Sequence, residues 1–161
     1  MTQTILLETL KDFSNEVLKD IILPVKVQKD GSQPAPRCMN VYLMRVPDSN
    51  AAKELAPYTI HQAITSKHEQ PQGDRVSTSV VVRSIFSVYD PDEQEGALAL
   101  LNVMERLRIN LLKTVVIGRQ FTLDLEVGIE TLIYPNDTAP YYAGEMITSW
   151  KLPRVEREVH P

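Results

Sequence analysis

The sequence predicts an α+β domain: an antiparallel sheet of long strands with two helices packed on one face. Three observations carry this. Residues 58–69 with 75–89, then 119–134, then 141–152 alternate apolar and polar side chains with a period of two, as strands with one buried face do. Residues 2–22 and 91–113 repeat apolar side chains at helical spacing, so each has a stripe to bury. One-sided strands and striped helices are satisfied together when both helices lie on one face of an antiparallel sheet.

In the first helix Ile5, Leu6, Leu10, Phe13, Val17, Leu18, Ile21 and Ile22 form the stripe, with Glu8, Lys11, Asp12, Glu16 and Lys19 toward water, and Pro24 stops it. Residues 25–28 are a short strand candidate. Residues 29–38, with Gly31, Pro34 and Pro36, form a mobile or extended loop. Residues 41–46 are a strand apolar on both faces, and 51–56 a single helical turn before Pro57.

The next two strands make a hairpin around Gln70-Pro-Gln-Gly-Asp74. Centring it on Gln72 pairs Glu69 with Arg75, Ile64 with Val80 and Tyr58 with Phe86. Tyr58, Ile60, Ile64, Val80, Val82, Phe86 and Val88 then share a face. The tip, with Thr65, Lys67, Ser77 and Ser79, is polar and projects beyond the body.

The long helix has a start signal in Asp90-Pro91-Asp92-Glu93. Asp90 is the expected cap, Pro91 the first position, and Glu93 the reciprocal member of a capping box. Ala97, Leu100, Leu101, Met104, Leu107, Leu111 and Leu112 are its expected buried stripe. Residues 119–134 read as one strand, with Phe121, Leu123, Leu125, Val127, Ile129 and Ile133 inward and Thr122, Asp124, Glu126 and Glu130 outward. The last strand places Met146, Thr148, Trp150 and Leu152 on one side, and Pro153 ends it. Residues 1–153 thus form a single domain, and 154–161 are a flexible charged tail.

Composition narrows function. A chain of 161 residues with 43% hydrophobic and 24% charged side chains can bury a sizeable core. The net charge is −4, and the deficit lies wholly in residues 81–161. No basic patch is present to grip nucleic acid by its phosphates. The one cysteine, Cys38, excludes an internal disulfide and suits a reducing compartment. No apolar run of ~18 residues offers a membrane span. The N-terminus lacks a signal-peptide pattern, so the cytoplasm is the expected site of synthesis and residence.

Catalytic patterns are sparse. His61, His68, His160 and Cys38 have no metal-ligand spacing, so no metal is expected. No nucleophile elbow, phosphate-binding loop or dinucleotide fingerprint occurs, so neither a cofactor nor an enzymatic activity is expected. Asp90, Asp92, Glu93 and Glu95 can be read as a carboxylate cluster, but helix capping accounts for all four. Arg106 and Arg108 are surface charges able to pair with Glu105 or with a second subunit. Tyr134, Tyr141, Tyr142 and Trp150 lie close together among Pro135, Pro140 and Pro153. They read either as a core tryptophan with loop tyrosines or as an interface, where tyrosine and tryptophan are over-represented.

Phe86-Ser-Val-Tyr-Asp-Pro-Asp-Glu-Gln-Glu-Gly96, Leu101-Asn-Val-Met-Glu-Arg-Leu-Arg108 and Tyr141-Tyr-Ala-Gly-Glu-Met-Ile-Thr-Ser-Trp150 occur in this order, with Pro153 shortly after. Over roughly residues 58–157 the pattern resembles the tail terminator, or tail-completion, proteins of long-tailed bacteriophages and prophages. The resemblance implies a small α+β subunit that forms a ring, usually a hexamer. Such a ring caps the tail tube and joins the head connector or neck protein, with DNA only as passing cargo and no membrane. It implies location at the tail–head junction of the virion after assembly in the bacterial cytoplasm. A neck or head-closure protein is the nearest alternative; a small enzyme or a ligand-binding module would be a different class. Docking of such a ring calls for interface residues on three segments: Asp30, Gly31 and Arg37 in the loop, Gln72, Asp74 and Arg75 at the hairpin tip, and Tyr141 and Tyr142. The two tyrosines are adjacent on a strand and therefore point to opposite sides.

Overall fold

A computed structural model describes residues 2–70, 76–135 and 139–154. Gln72, Asp74, Arg75 and the tail beyond Arg154 lie outside them. The elements in order are α1 (Thr2–Leu18), β1 (Asn40–Leu43), a 3-10 turn (Ser49–Leu55), β2 (Tyr58–Glu69), β3 (Ser77–Tyr89), α2 (Glu93–Thr114), β4 (Val116–Ile117), β5 (Phe121–Leu123), β6 (Glu130–Ile133) and β7 (Tyr141–Leu152). Among the described residues the sheet has seven strands in the order β1-β2-β3-β7-β5-β4, with β6 also paired to β7. It is an α+β fold, its sheet curled into a half-barrel. Every pairing is antiparallel except β1 with β2, which is parallel.

Both helices lie on one face. Leu6, Leu10 and Leu18 of α1 and Leu100, Val103, Leu107 and Leu111 of α2 seal Val80, Val82, Phe86, Met146 and Trp150 beneath them. The two helices are also tied together at the surface, where Arg106 Nη1 donates to both carboxylate oxygens of Asp20 at 3.0 and 3.2 Å. α1 ends at Leu18, earlier than its apolar stripe, and Ile22 beyond it is exposed. Residues 25–28 form no strand. The 3-10 turn falls where a single helical turn was expected.

Three expectations are corrected. The cap of α2 is Asp92, not Asp90: its carboxylate accepts from the N–H groups of Gln94 and Glu95, both at 3.0 Å. Asp90 instead accepts from the Asp92 N–H at 2.9 Å, an Asx turn that leads into the cap. The four carboxylates of the start signal thus include two that fix the entry of the helix.

The hairpin register is shifted. Tyr58 faces Ser87 and Ala63 faces Val82, and a bulge between Ala63 and Thr65 shifts the pairing so that Glu69 meets Ser77. A slip of one residue moves a side chain to the other face of the sheet. Thr59, His61 and Ala63 therefore join Phe86, Ser84 and Val82 under the helices. Tyr58 and Ile60 turn to the outer face, and Ile64 is exposed at the bulge. Residues 64–70 are all exposed, as a projecting arm requires.

Residues 119–134 do not run as one strand. β5 pairs with β7 up to Leu123–Trp150, and pairing resumes in β6 at Glu130–Ile147. Between them the Asp124 carboxylate accepts from the N–H groups of Glu126 and Val127 at 3.1 and 3.3 Å. Gly128 adopts φ +79°, a left-handed conformation that glycine takes without strain, and its N–H closes the turn on the Asp124 carbonyl at 3.0 Å. Leu125 and Val127, expected inside, are 54% and 67% exposed.

Candidate functional site

The outer face of the sheet gathers residues that are far apart in sequence. Tyr89 and Tyr141 are register partners on β3 and β7, with ring centroids 5.5 Å apart. Tyr42 and Tyr58, on β1 and β2, have centroids 6.1 Å apart. Tyr58 and Ile60 pack with Ala56 and with the partly buried Tyr42, Val46, Leu55 and Tyr89 in a second, smaller core. The segment after β1 folds back over this face, and its 3-10 turn forms one wall of an open recess of about 740 Å³. Lys26, Lys29, Lys53, Glu54, Ser49, Ala52 and Tyr141 line it.

Charge in the recess is arranged around Tyr141. The Lys26 and Lys53 ammonium groups lie 6.0 and 5.8 Å from its ring centroid, within cation–π range. Lys26 is 3.6 Å from the Glu54 carboxylate. Tyr141 foremost, and Glu54 after it, hold the Lys26 ammonium above the ordinary lysine value. Three lysines against one glutamate make the recess net basic on an acidic chain. It is suited to a carboxylate-bearing or aromatic segment of another protein.

The structure separates the residues expected at an interface. Tyr141 lines the recess. Tyr142 pairs with Val88 on the opposite face and packs against the first turn of α2. Gly96 comes so close to the Tyr142 ring that a Cβ there would collide with it. The Tyr142 hydroxyl is buried with no hydrogen-bond partner among the described residues. Burial, reinforced by Glu93, Asp90 and Asp92, pushes its phenol above the usual value.

Asp30 and Gly31 form an exposed turn. The Asp30 carboxylate accepts from the Ser32 N–H at 2.9 Å and from its hydroxyl at 2.6 Å, and Gly31 sits at φ +85°. Arg37 is committed within the chain: its guanidinium donates to the carbonyls of Cys38, Pro57 and Leu55 at 3.1, 2.8 and 3.0 Å. Its backbone exchanges two hydrogen bonds with Leu23. The loop expected to be mobile or extended is thus fastened at its end by a half-buried Arg37. Gln72, Asp74 and Arg75 are outside the described residues.

Sequence reasoning missed Lys26, Lys53, Glu54 and Tyr89. Only the true strand register would have placed Tyr89 beside Tyr141, and no local pattern marks lysines brought in by loops. It also gave His61 no particular role. His61 is fully buried, with Nε2 2.7 Å from the Ser14 hydroxyl and Nδ1 2.7 Å from the Ser84 hydroxyl. Burial lowers its pKa to about 4, so the ring is neutral. Sealed from water, this chain of polar groups joins α1, β2 and β3. Among the described residues no group of histidine, cysteine, aspartate and glutamate could hold a metal ion, and no helix is long and apolar enough to cross a membrane.

No protein-family model matches the sequence, and no match is found among curated proteins.

Proposed function

We propose that this chain is a structural subunit of a tailed-phage virion: a tail terminator that forms a ring, caps the tail tube and meets the head connector. The observation that carries the reading is where the resembling residues fall. Residues 86–108 are the end of β3 and most of α2; residues 141–150 lie in β7, which pairs with β3 over twelve positions beside α2. The stretches that resemble the family therefore form one packed unit rather than scattered phrases.

Two further features support a binding role between proteins. The recess around Tyr141 presents a half-buried tyrosine ring, a residue type enriched at interfaces, beside three lysines that complement an acidic partner surface. The net charge of −4 per subunit makes a ring strongly negative, which keeps passing DNA from sticking.

Electron microscopy of the purified protein, alone and mixed with tail tubes, tests the reading. Rings alone or at tube ends, with tubes that stop growing, are the expected result. A protein that forms no ring and leaves tube growth unchanged overturns it. Rings that bind connectors and ignore tubes would replace the terminator with a neck protein.

A further inference from the structure

The buried row of α2 is Leu100, Val103, Met104, Leu107 and Leu111, but the helix carries a second apolar row on its outer side. Leu98, Leu101 and Leu112 are 50%, 39% and 39% exposed, and Val116, just past the helix, is 43% exposed. Residues 98, 101, 105, 108 and 112 are spaced alternately by three and four, so they form one line along the helix. Val116 belongs to β4, past the Val115 cap (φ 62°) that ends the helix; the central stretch of the line is Leu101, Glu105, Arg108, Leu112. Read backwards it has the same pattern of kinds, with the two charges exchanged.

That symmetry has a geometric consequence. Two copies of α2 laid antiparallel, centred between Arg106 and Leu107, set Leu101 against the partner's Leu112 and Glu105 against the partner's Arg108. These are the facing positions of an antiparallel two-helix seam. In a parallel pair Glu105 would meet its own copy, and so would Arg108, and like charges would repel. Arg106 is held by Asp20 within the chain, whereas neither Glu105 nor Arg108 has an ion-pair partner among the described residues.

We propose that a second copy of this chain covers the outer row of α2. The leucines form the seam, and two symmetric Glu105–Arg108 pairs set its direction and register. The contact is isologous and closes on itself, whereas a ring needs head-to-tail contacts. It uses the helix side of the molecule, away from the Tyr141 recess, so it stands independently of the terminator reading.

Charge reversal with rescue tests it. Light scattering after size exclusion, over a range of concentrations, should show reversible pairing of the wild-type chain. Arg108→Glu alone and Glu105→Arg alone should each weaken pairing tenfold or more, because like charges then face each other. The double variant should restore it. In a Cys38→Ser background, oxidation of a mixture of Leu101→Cys and Leu112→Cys chains should give the mixed disulfide. Neither variant should link to itself, since like positions lie well over ~10 Å apart along the antiparallel seam at ~1.5 Å rise per residue. A monomer at every concentration, an assembly indifferent to both reversals, or self-linking of Leu101→Cys would overturn the proposal. Rings accompanied by pairing that neither weakens in the single reversals nor returns in the double variant would overturn the seam and leave the ring reading standing. Pairing that persists without rings would do the opposite.

Discussion

On the helix-covered face of the sheet, Val80, Val82, Phe86, Met146 and Trp150 are fully sealed. On the outer face Tyr42, Tyr58 and Tyr89 lie under a partial cover supplied by the segment after β1, and Tyr141 stands beside Lys26 and Lys53. The same strands build both faces, because successive side chains of a strand point to opposite sides. The difference shows that stability and recognition are divided by residue parity, not by region of sequence. Neighbours in the chain can therefore serve opposite ends, as Tyr141 and Tyr142 do.

The largest expected effect breaks the covered face. Phe86 is completely buried in the C-terminal half of β3, so Phe86→Ala should cost about 3–5 kcal/mol. Ile85, its half-buried neighbour on the outer face, should cost less than half as much when changed to Ala. Urea unfolding of both variants, with unchanged m values, measures the contrast. Equal losses would mean that the two faces are a single core.

Next comes the polar inclusion within the covered face. His61 titrates near 6.5 when unfolded and about 4 when folded, because burial disfavours its charged form. Between those values the unfolded chain binds the extra proton. The stability that His61 confers is complete above pH ~6.5 and falls as pH drops toward ~4, by about 1.4 kcal/mol per pH unit. Below the folded pKa there is no further loss from this group. Unfolding free energies at several pH values should show this slope, and His61→Gln should flatten it. A slope that survives the substitution would assign acid sensitivity to other groups.

A smaller effect separates the two aspartates at the start of α2. Asp92→Ala removes the cap and should cost about 0.5–2 kcal/mol. Asp90→Ala removes one exposed hydrogen bond and should cost less, about 0.5 kcal/mol. Thermal melts of the two variants compare them directly. The reverse order would move the cap back to Asp90.

The sequence carried the element types well where periodicity was long and uninterrupted, as in β3, α2 and β7. It failed where a side chain competed with the ladder. Asp124 caps a turn and Gly128 allows left-handed backbone, so an alternating run became two short strands. The hairpin was misregistered because a bulge at Ala63/Thr65 leaves no mark in the apolar pattern, and this misplaced Tyr58 and Ile60. In α2 the stripe of Leu100, Met104, Leu107 and Leu111 was legible, but Leu101 and Leu112 had been grouped with it. The helix has apolar rows on two sides, and leucine alone does not say which is buried. At the candidate site Tyr141 and Tyr142 were legible as a pair facing opposite sides, but which of them faces outward was not. The lysines around Tyr141 depend on loop paths that no short-range signal encodes.

The smallest effect on stability, and the sharpest on recognition, is expected at Tyr141. Its ring lies at the open recess, in contact range of two ammonium groups but outside the large core. Truncation removes little buried surface, so Tyr141→Ala should shift stability by no more than about 0.5 kcal/mol. Tyr142→Ala empties space beneath Gly96 and should destabilise far more, so changing both tyrosines together would confuse folding with docking. If Tyr141 anchors a neighbouring subunit or the tube, its loss should cost about 2 kcal/mol per contact, roughly thirtyfold in affinity. Tyr141→Phe keeps the ring that the lysines face and should retain most of the assembly. Circular dichroism melts and tube-capping assays on Tyr141→Ala, Tyr141→Phe and Tyr142→Ala together decide the matter. Assembly unchanged in Tyr141→Ala would remove the recess from the interface. A melt as damaged as that of Tyr142→Ala would instead make Tyr141 part of the folding core, and the division between the two faces would fail at the pair that best displays it.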